Sequence, residues 1–325
     1  MSRLPHPSQE RFEVLVAERR DEAEGIISLE LAAVDGRTLP AFEAGSHIDL
    51  HVGAALVRQY SLCGDPRDLT RYRLGILLEP QSRGGSKAAH EQLVPGARTW
   101  ISPPRNNFRL VETARNSILI AGGIGITPLL GMAWRLAEMN LNFHLFYCTR
   151  SLSRTAFRHL LQQYPCAGRH TLYLDDDTSN GRFDALRVLA DPHVDTHAYV
   201  CGPGGFMTYV TAAAERVGWS AKNVHLEHFS PRAELGSSGF RVRAAKSGIE
   251  VIVPAGRTIA QVLIENGVDV PLSCESGVCG TCLTTVLEGI PEHRDLFQTD
   301  DEKSSNRQMT LCCSRAVTPL LVLDI

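Results

Sequence analysis

The chain has 325 residues, a length that accommodates two or three domains. Hydrophobic residues make up 43% of it, charged residues 21%, and the net charge is −3. That composition excludes disorder, collagen and coiled coil as the main architecture, and leaves no overall basic field for nucleic acid. No stretch reaches the roughly 18 uninterrupted apolar residues of a membrane span. Residues 1–10 are polar, with no apolar core of a signal peptide, so the expected location is the cytoplasm.

The first third alternates apolar and polar residues in short runs. Phe12 to Ala17, Ile26 to Leu31, His47 to Val52, Val57 to Leu62 and Tyr72 to Leu78 read as strands. Turn residues separate them, which predicts a small antiparallel β-barrel, interrupted by a helical stretch from Gly84 to Leu93. From Ser117 the texture changes to alternating strand and helix. Strands are expected at Ser117 to Ala121, Asn142 to Tyr147, His170 to Leu174, His197 to Cys201 and Val224 to Phe229. Helices are expected at Pro128 to Asn140, Thr155 to Gln163 and Gly205 to Val217. This order implies an α/β doubly wound parallel sheet.

Residues 231–239 have the composition of a linker. After it, Phe240 to Ala245 and Ile249 to Val253 read as a hairpin, Thr258 as the cap of a helix ending at Asn266, and Leu320 to Leu323 as a closing strand. The expected domains are therefore 1–112, 113–230 and 240–325.

Nine cysteines are unevenly placed. Cys63, Cys148, Cys166 and Cys201 are scattered and read as small buried hydrophobes. Cys274, Cys279 and Cys282 have the spacing C-x4-C-x2-C, and Cys312 and Cys313 follow. The pattern is that of plant-type [2Fe-2S] ligands; a zinc site is the alternative, but zinc favours paired C-x2-C spacings and only one such pair exists. Ser276, Gly277, Gly280 and Thr281 let backbone N–H groups face the sulfurs. The segment 240–325 thus resembles plant-type ferredoxins of α+β (β-grasp) fold. That resemblance, with its Cys-x-Ser-Arg-Ala run, makes Cys312 the fourth ligand and not Cys313.

Two glycine-rich turns each join a strand to a helix: Ala121-Gly122-Gly123-Ile124-Gly125-Ile126-Thr127 and Cys201-Gly202-Pro203-Gly204-Gly205. Such turns let backbone approach a pyrophosphate at a helix N-terminus, though a tight turn without ligand reads the same. Together they resemble ferredoxin–NADP reductase-like modules. The resemblance makes Gly122, Gly123, Thr127, Cys201, Gly202 and Pro203 nucleotide contacts and puts Arg150 near the adenosine ribose, with Arg154 a second candidate there. Arg58-Gln59-Tyr60-Ser61-Leu62 matches the flavin signature of the same superfamily, which implies that Arg58, Tyr60, Ser61 and Leu62 touch flavin. Arg83, Gly84, Gly85 and Ser86 open the first helix and suit a phosphate, so FMN is expected over FAD. By the same resemblance Phe229 is a candidate to stack on the flavin. His225 and His228 face opposite sides of their strand and read as ordinary strand residues.

With this domain order, the chain resembles the phthalate dioxygenase reductase family, most closely its vanillate O-demethylase reductase branch, on runs such as Pro103-Pro-Arg-Asn-Asn-Phe108 and Cys312-Cys-Ser-Arg-Ala316. The resemblance implies an oxidoreductase that passes electrons from NADH through FMN and a [2Fe-2S] cluster to a Rieske-type non-haem iron oxygenase. No side chain need act as acid, base or nucleophile. The contact with the oxygenase is expected to be transient, and the chain monomeric. A stand-alone NAD(P)H:acceptor reductase and a redox-sensing iron–sulfur flavoprotein are the alternatives. Residues 233–325 carry 8 Lys and Arg against 12 Asp and Glu. Glu292, Asp295, Asp300, Asp301 and Glu302 lie between the third and fourth cysteines, either as a solvated loop or as a docking face for a basic patch.

Overall fold

A computed structural model describes residues 11–53, 56–79, 84–163, 165–177, 179, 181–229, 239–273, 275, 277 and 279–325. The N-terminal ten residues, Arg83, most of the expected linker, Cys274 and Ser276 lie outside the described residues. The chain divides into two compact units, Met1–His228 and Phe229–Ile325. Among the described residues no helix is long and apolar enough to cross a membrane.

The first unit begins with β1 (Phe12–Ala23), β2 (Ile26–Ala33), β3 (Ser46–Val52), β4 (Leu56–Ser61), β5 (Tyr72–Leu77), α1 (Gly85–Gln92), β6 (Arg98–Ile101) and β7 (Arg105–Asn106). The strands form one antiparallel sheet in the order β4-β3-β6-β1-β2-β5, with β7 on β3. A bridge between Leu62 and Leu74 links the two ends of that order. Alternation explains the sheet: Val14, Val16, Leu29, Leu31, Ile48, Leu50, Leu74 and Ile76 all point inward and are buried. β1 runs six residues beyond its expected end, through register shifts at Val16/Glu18 and Asp21/Ala23 that interrupt the alternation.

The unit continues with β8 (Asn116–Gly122), α2 (Ile126–Glu138), β9 (Asn142–Thr149), α3 (Arg158–Leu161), β10 (His170–Leu174), α4 (Ala185–Val188), β11 (Thr196–Cys201), α5 (Gly204–Arg216) and β12 (Val224–Glu227). These strands are parallel, in the order β10-β9-β8-β11-β12. The chain leaves β8 toward β9 on one side and returns to β11 on the other, so the β8–β11 boundary is a topological switch point. α3 is much shorter than the helix expected over Thr155 to Gln163. Phe157 has φ 58°, a left-handed conformation that no helix interior holds, so the helix starts only after it. β12 likewise ends at Glu227, two residues before Phe229.

The first unit's two parts meet through a buried carboxylate. Glu22, at the end of β1, accepts from Ser28 Oγ at 2.7 Å and from the Phe157 backbone N–H at 3.2 Å, and lies 3.4 Å from His159 Nδ1.

The second unit comprises β13 (Phe240–Ala244), β14 (Ile249–Val253), α6 (Ile259–Glu265), β15 (Leu283–Glu288), β16 (Pro291–Glu292), α7 (Asp300–Ser305), β17 (Gln308–Thr310), β18 (Arg315–Ala316) and β19 (Leu320–Leu323). The main sheet has the order β14-β13-β19-β15-β17, and β16 pairs β18. α6 packs Ile259, Ala260 and Leu263 into a core with Val242, Val253, Met309, Leu321 and Leu323. Its start is fixed by a capping box in which Thr258 Oγ1 accepts the Gln261 N–H and Gln261 Oε1 accepts the Thr258 N–H.

Candidate functional sites

The expected flavin residues lie on β4 and at the start of α1. In register with β3, Arg58 faces Leu50, Tyr60 faces Ile48 and Ser61 faces His47. Arg58 and Tyr60 therefore share one side of the strand and Ser61 takes the other. Burial pushes the Tyr60 phenol up to about 12, so it stays a hydrogen-bond donor at neutral pH. Leu62 is fully buried and Ser61 nearly so.

α1 begins from Gly84 at φ 91°, with no acidic residue in its first turn. A Cβ on Gly85 would collide with the Arg58 side chain, so the guanidinium arm lies directly against the helix start. Ser86 Oγ accepts the Glu79 N–H at 3.1 Å. A helix N-terminus with an arginine laid across it and no competing carboxylate is suited to a phosphate. The residues present thus fit the phosphate end of a flavin nucleotide.

The two glycine turns close on each other at the switch point. A Cβ on Gly125 would fall on the Cys201 carbonyl, and one on Gly202 would lie 3.0 Å from Gly122 Cα. Only hydrogen at these positions allows the ends of β8 and β11 to abut, with the Phe206 ring packed against Gly122 and Gly202. Thr127 is buried at the start of α2, its Oγ1 donating to the Ile124 carbonyl at 3.0 Å. Pro203 caps α5 without a side-chain hydrogen bond. This pairing of bare turns and helix starts fits a dinucleotide pyrophosphate. Arg150 is exposed past the end of β9, and its carbonyl accepts the Asp176 N–H at 3.2 Å. Arg154 is committed elsewhere, to Glu24 at 2.7 Å. Phe229 is 42% exposed and is the first residue of the second unit.

Two features escape a reading of the sequence. Glu227 pairs in register with Cys201, beside the second glycine turn. Its Oε2 is buried with no hydrogen-bond partner, and burial raises the carboxyl to about 8. The one signal available was a carboxylate ending a short strand at the carboxyl edge of the sheet. His225, read as an ordinary strand residue, has its Nε2 2.8 Å from His197 Nδ1, and its ring lies 4.7 Å from that of Tyr199. Burial holds His225 down at about 4, so the pair is neutral and one imidazole donates to the other.

In the second unit, Cys282 and Cys312 are buried and Cys279 is partly exposed, while Cys274 lies outside the described residues. Among the described residues, no three His, Cys, Asp or Glu side chains form a metal-holding group. The loop around Cys279 has the backbone a cluster requires. Glu275, Gly277 and Gly280 all have left-handed φ, at 52°, 75° and 71°, so the loop turns sharply at each of them. The Thr281 N–H points to Cys279 Sγ at 3.5 Å. Gly277 has no room for a side chain, since a Cβ would lie 2.5 Å from Cys313 Sγ and 3.0 Å from Asp295 Cα. Thiolate-capable side chains on a sharply turning loop, one of them facing a backbone N–H, fit an anionic iron–sulfur cluster.

The acidic residues between Cys282 and Cys312 do not form one face. Asp295 is buried, against the expectation of a surface charge, and Glu292 is paired with Arg294 at 2.6 Å. Asp300, Asp301 and Glu302 are exposed in the first turn of α7, where they complement the helix dipole, and Thr299 with Glu302 closes a capping box.

Comparison with known proteins adds to this geometry. A model described as a 2Fe-2S iron-sulfur cluster binding domain matches residues 242–317. One described as a dimethylamine monooxygenase subunit DmmA-like N-terminal domain matches residues 100–224. The chain is 47% identical to a vanillate O-demethylase oxidoreductase of Pseudomonas putida, over 97% of this chain and all of that one. It is 39% identical to the carnitine monooxygenase reductase subunit of Escherichia coli, over 97% and 98% of the two. It also matches the solved structure of phthalate dioxygenase reductase, described as a modular structure for electron transfer from pyridine nucleotides to [2Fe-2S], with TM-score 0.78 and 36% identity over 97% and 98% of the two chains.

Proposed function

The chain belongs to the phthalate dioxygenase reductase family, in its vanillate O-demethylase oxidoreductase branch, and from that premise we propose how its residues divide the work. It is the NADH-dependent reductase component of an oxygenase system, carrying electrons through a flavin and a [2Fe-2S] cluster to a Rieske-type oxygenase. Nicotinamide supplies electrons in pairs, and a flavin, when bound, parts them for a one-electron cluster.

Everything else the protein does is placement. The turns Gly122–Thr127 and Cys201–Pro203 seat the pyrophosphate by backbone, with Arg150 at the adenosine end. On the flavin side, Arg58, Tyr60, Ser61 and Leu62 hold the ring and its ribityl chain. Arg83, Gly84, Gly85 and Ser86 hold the phosphate, which favours FMN. Phe229 covers the flavin face. Cys274, Cys279, Cys282 and Cys312 are the cluster ligands, and loop N–H groups such as that of Thr281 stabilise their negative charge. Residues 1–112 form the flavin barrel, 113–230 the nucleotide domain and 240–325 the ferredoxin domain. The protein is a monomer that meets its oxygenase transiently, in the cytoplasm.

The observation that carries this reading is the fit of one chain to three cofactor sites in sequence: an arginine across a bare helix start, two abutting glycine turns, and a cysteine loop with left-handed backbone at Glu275, Gly277 and Gly280. Flavin released on denaturation identifies the nucleotide. FMN at about one per chain is the expected result, and FAD would reject the phosphate-site assignment. NADH is favoured over NADPH because Arg154 is held by Glu24, so kcat/KM with NADH should exceed that with NADPH.

A further inference from the structure

Behind the cysteine loop lies a group of buried polar side chains that neither the ligand set nor the flavin and nucleotide sites use. The segment His293 to Gln298 is laced between two parts of the cluster region. The Arg294 N–H donates to Ser314 Oγ at 3.3 Å, just past Cys312, and the Leu296 N–H donates to the Gly277 carbonyl at 2.9 Å. Asp295 Cα lies 3.0 Å from where a Cβ of Gly277 would be.

Within this segment, the His293 and Asp295 side chains are 9% and 0% exposed, with His293 Nδ1 3.8 Å from Asp295 Oδ1. Both ring nitrogens of His293, Asp295 Oδ1 and Gln298 Oε1 are buried without a hydrogen-bond partner. The other carboxylate oxygen of Asp295 accepts the Gln298 N–H at 2.8 Å. A neutral imidazole must carry one N–H, so the arrangement leaves a buried donor unsatisfied, a state proteins rarely keep without a use.

Charged residues flank His293 along its own segment and across the neighbouring strand pair. Asp295 and Glu292 are on its own segment with Arg294, which pairs with Glu292. Arg315 opposes Glu292 across β16–β18, and Cys313 follows Cys312 on that same side. An electron received by a cluster in the adjoining loop is one further negative charge, and added negative charge favours a protonated imidazole.

We propose that His293, paired with Asp295, is a redox-linked protonation site: when the cluster takes one electron from the flavin, His293 takes one proton from solvent. The step balances as one electron onto the cluster, one new N–H bond on His293, and one hydronium converted to water. When the electron passes to the oxygenase, the proton returns to solvent. The inference rests on the ferredoxin reading of the cysteine loop.

The test is a redox titration of the purified holoprotein from about pH 5.5 to about pH 9, following the cluster by visible absorbance and electron paramagnetic resonance. The cluster potential is expected to fall as pH rises within that range. Its slope should approach 59 mV per pH unit, the tenfold equivalent for a one-electron couple. His293→Gln should flatten the slope with iron content and spectrum unchanged, and Asp295→Asn should move the sloping window to lower pH. A flat wild-type potential overturns the proposal whatever the variants do, and so does a wild-type slope in His293→Gln. A chain that binds no iron refutes the cluster reading itself and the proposal with it. A flat potential in a chain showing the cluster spectrum refutes the proposal alone.

Discussion

The cysteine loop and the pair of glycine turns solve the same problem by opposite means. In the proposed assignment, both present backbone N–H to a negatively charged group. In the loop, the chemistry resides in side chains spaced a few residues apart, and the left-handed backbone at Glu275, Gly277 and Gly280 serves them. In the turns, no side chain is essential; the site exists because Gly125 and Gly202 let β8 and β11, about eighty residues apart in the chain, touch. The first kind of site is local and legible. The second is made by packing and is legible only as glycine in the right place.

The largest effect should come from the local site. Cys312→Ala is expected to abolish cluster absorbance while flavin stays bound and reducible by NADH, whereas Cys313→Ala should keep the cluster. Visible spectra of the two purified variants before and after NADH check this. Loss of the cluster in Cys313→Ala alone would reverse the ligand assignment.

The packed site should respond to the smallest possible addition. In Gly125→Ala one methyl group meets the Cys201 carbonyl, so the two turns must part. Overpacking of this kind costs about 1–3 kcal/mol, and a displacement of about 1 Å can cost roughly a hundredfold in rate. Thermal unfolding and kcat/KM for NADH-driven flavin reduction should both fall, while the cluster spectrum of the second unit is retained. An unchanged kcat/KM would place the nucleotide elsewhere.

Next is the flavin phosphate. Arg58→Ala removes a charge-assisted contact worth about 1.5–3 kcal/mol, equivalent to about 10- to 100-fold weaker flavin retention. Flavin content after dialysis measures it.

A further effect concerns pH. Glu227 is held near 8 when folded, above its ordinary value of 4.5. The folded state therefore keeps a proton that the unfolded chain releases. That contribution is complete below about pH 4.5 and is lost as pH rises through about 8. Wild type should lose more stability between pH 5 and pH 8 than Glu227→Gln does, by about 3 kcal/mol. Melting temperatures across that range read the difference, and parallel curves would mean that Glu227 is ionised in the fold.

The weakest expectation is for the acidic turn of α7. Asp300→Asn with Asp301→Asn should slow electron delivery to the oxygenase at low salt by a few-fold, without altering cluster content. Because these residues also begin a helix, unchanged α7 structure must accompany the slower rate for docking to be the cause.

Most elements were legible because their alternation is clean, as in Phe240–Ala244, or because their caps are explicit, as at Thr258. The failures have physical causes. The pattern over Thr155 to Gln163 suits a helix, but Phe157 adopts a left-handed turn and its N–H is taken by Glu22, 135 residues earlier. The acidic run at Asp300 is exposed as expected, but it opens a short helix rather than a loop, which the capping-box spacing of Thr299 and Glu302 already signalled. Asp295 carried no sign that it would be buried, and neither Glu227 nor the His197–His225 pair could be found without the register of β12 on β11.

The central claim is that one chain conducts electrons from NADH through a flavin to a [2Fe-2S] cluster. The measurement that tests it most directly is an anaerobic titration of the purified protein with NADH, followed by visible absorbance and low-temperature electron paramagnetic resonance. The account predicts that the flavin and cluster bands both bleach and that a reduced-cluster signal appears in wild type but not in Cys312→Ala, whose flavin still bleaches. A protein whose flavin is reduced while an intact cluster stays oxidised at excess NADH would contradict it.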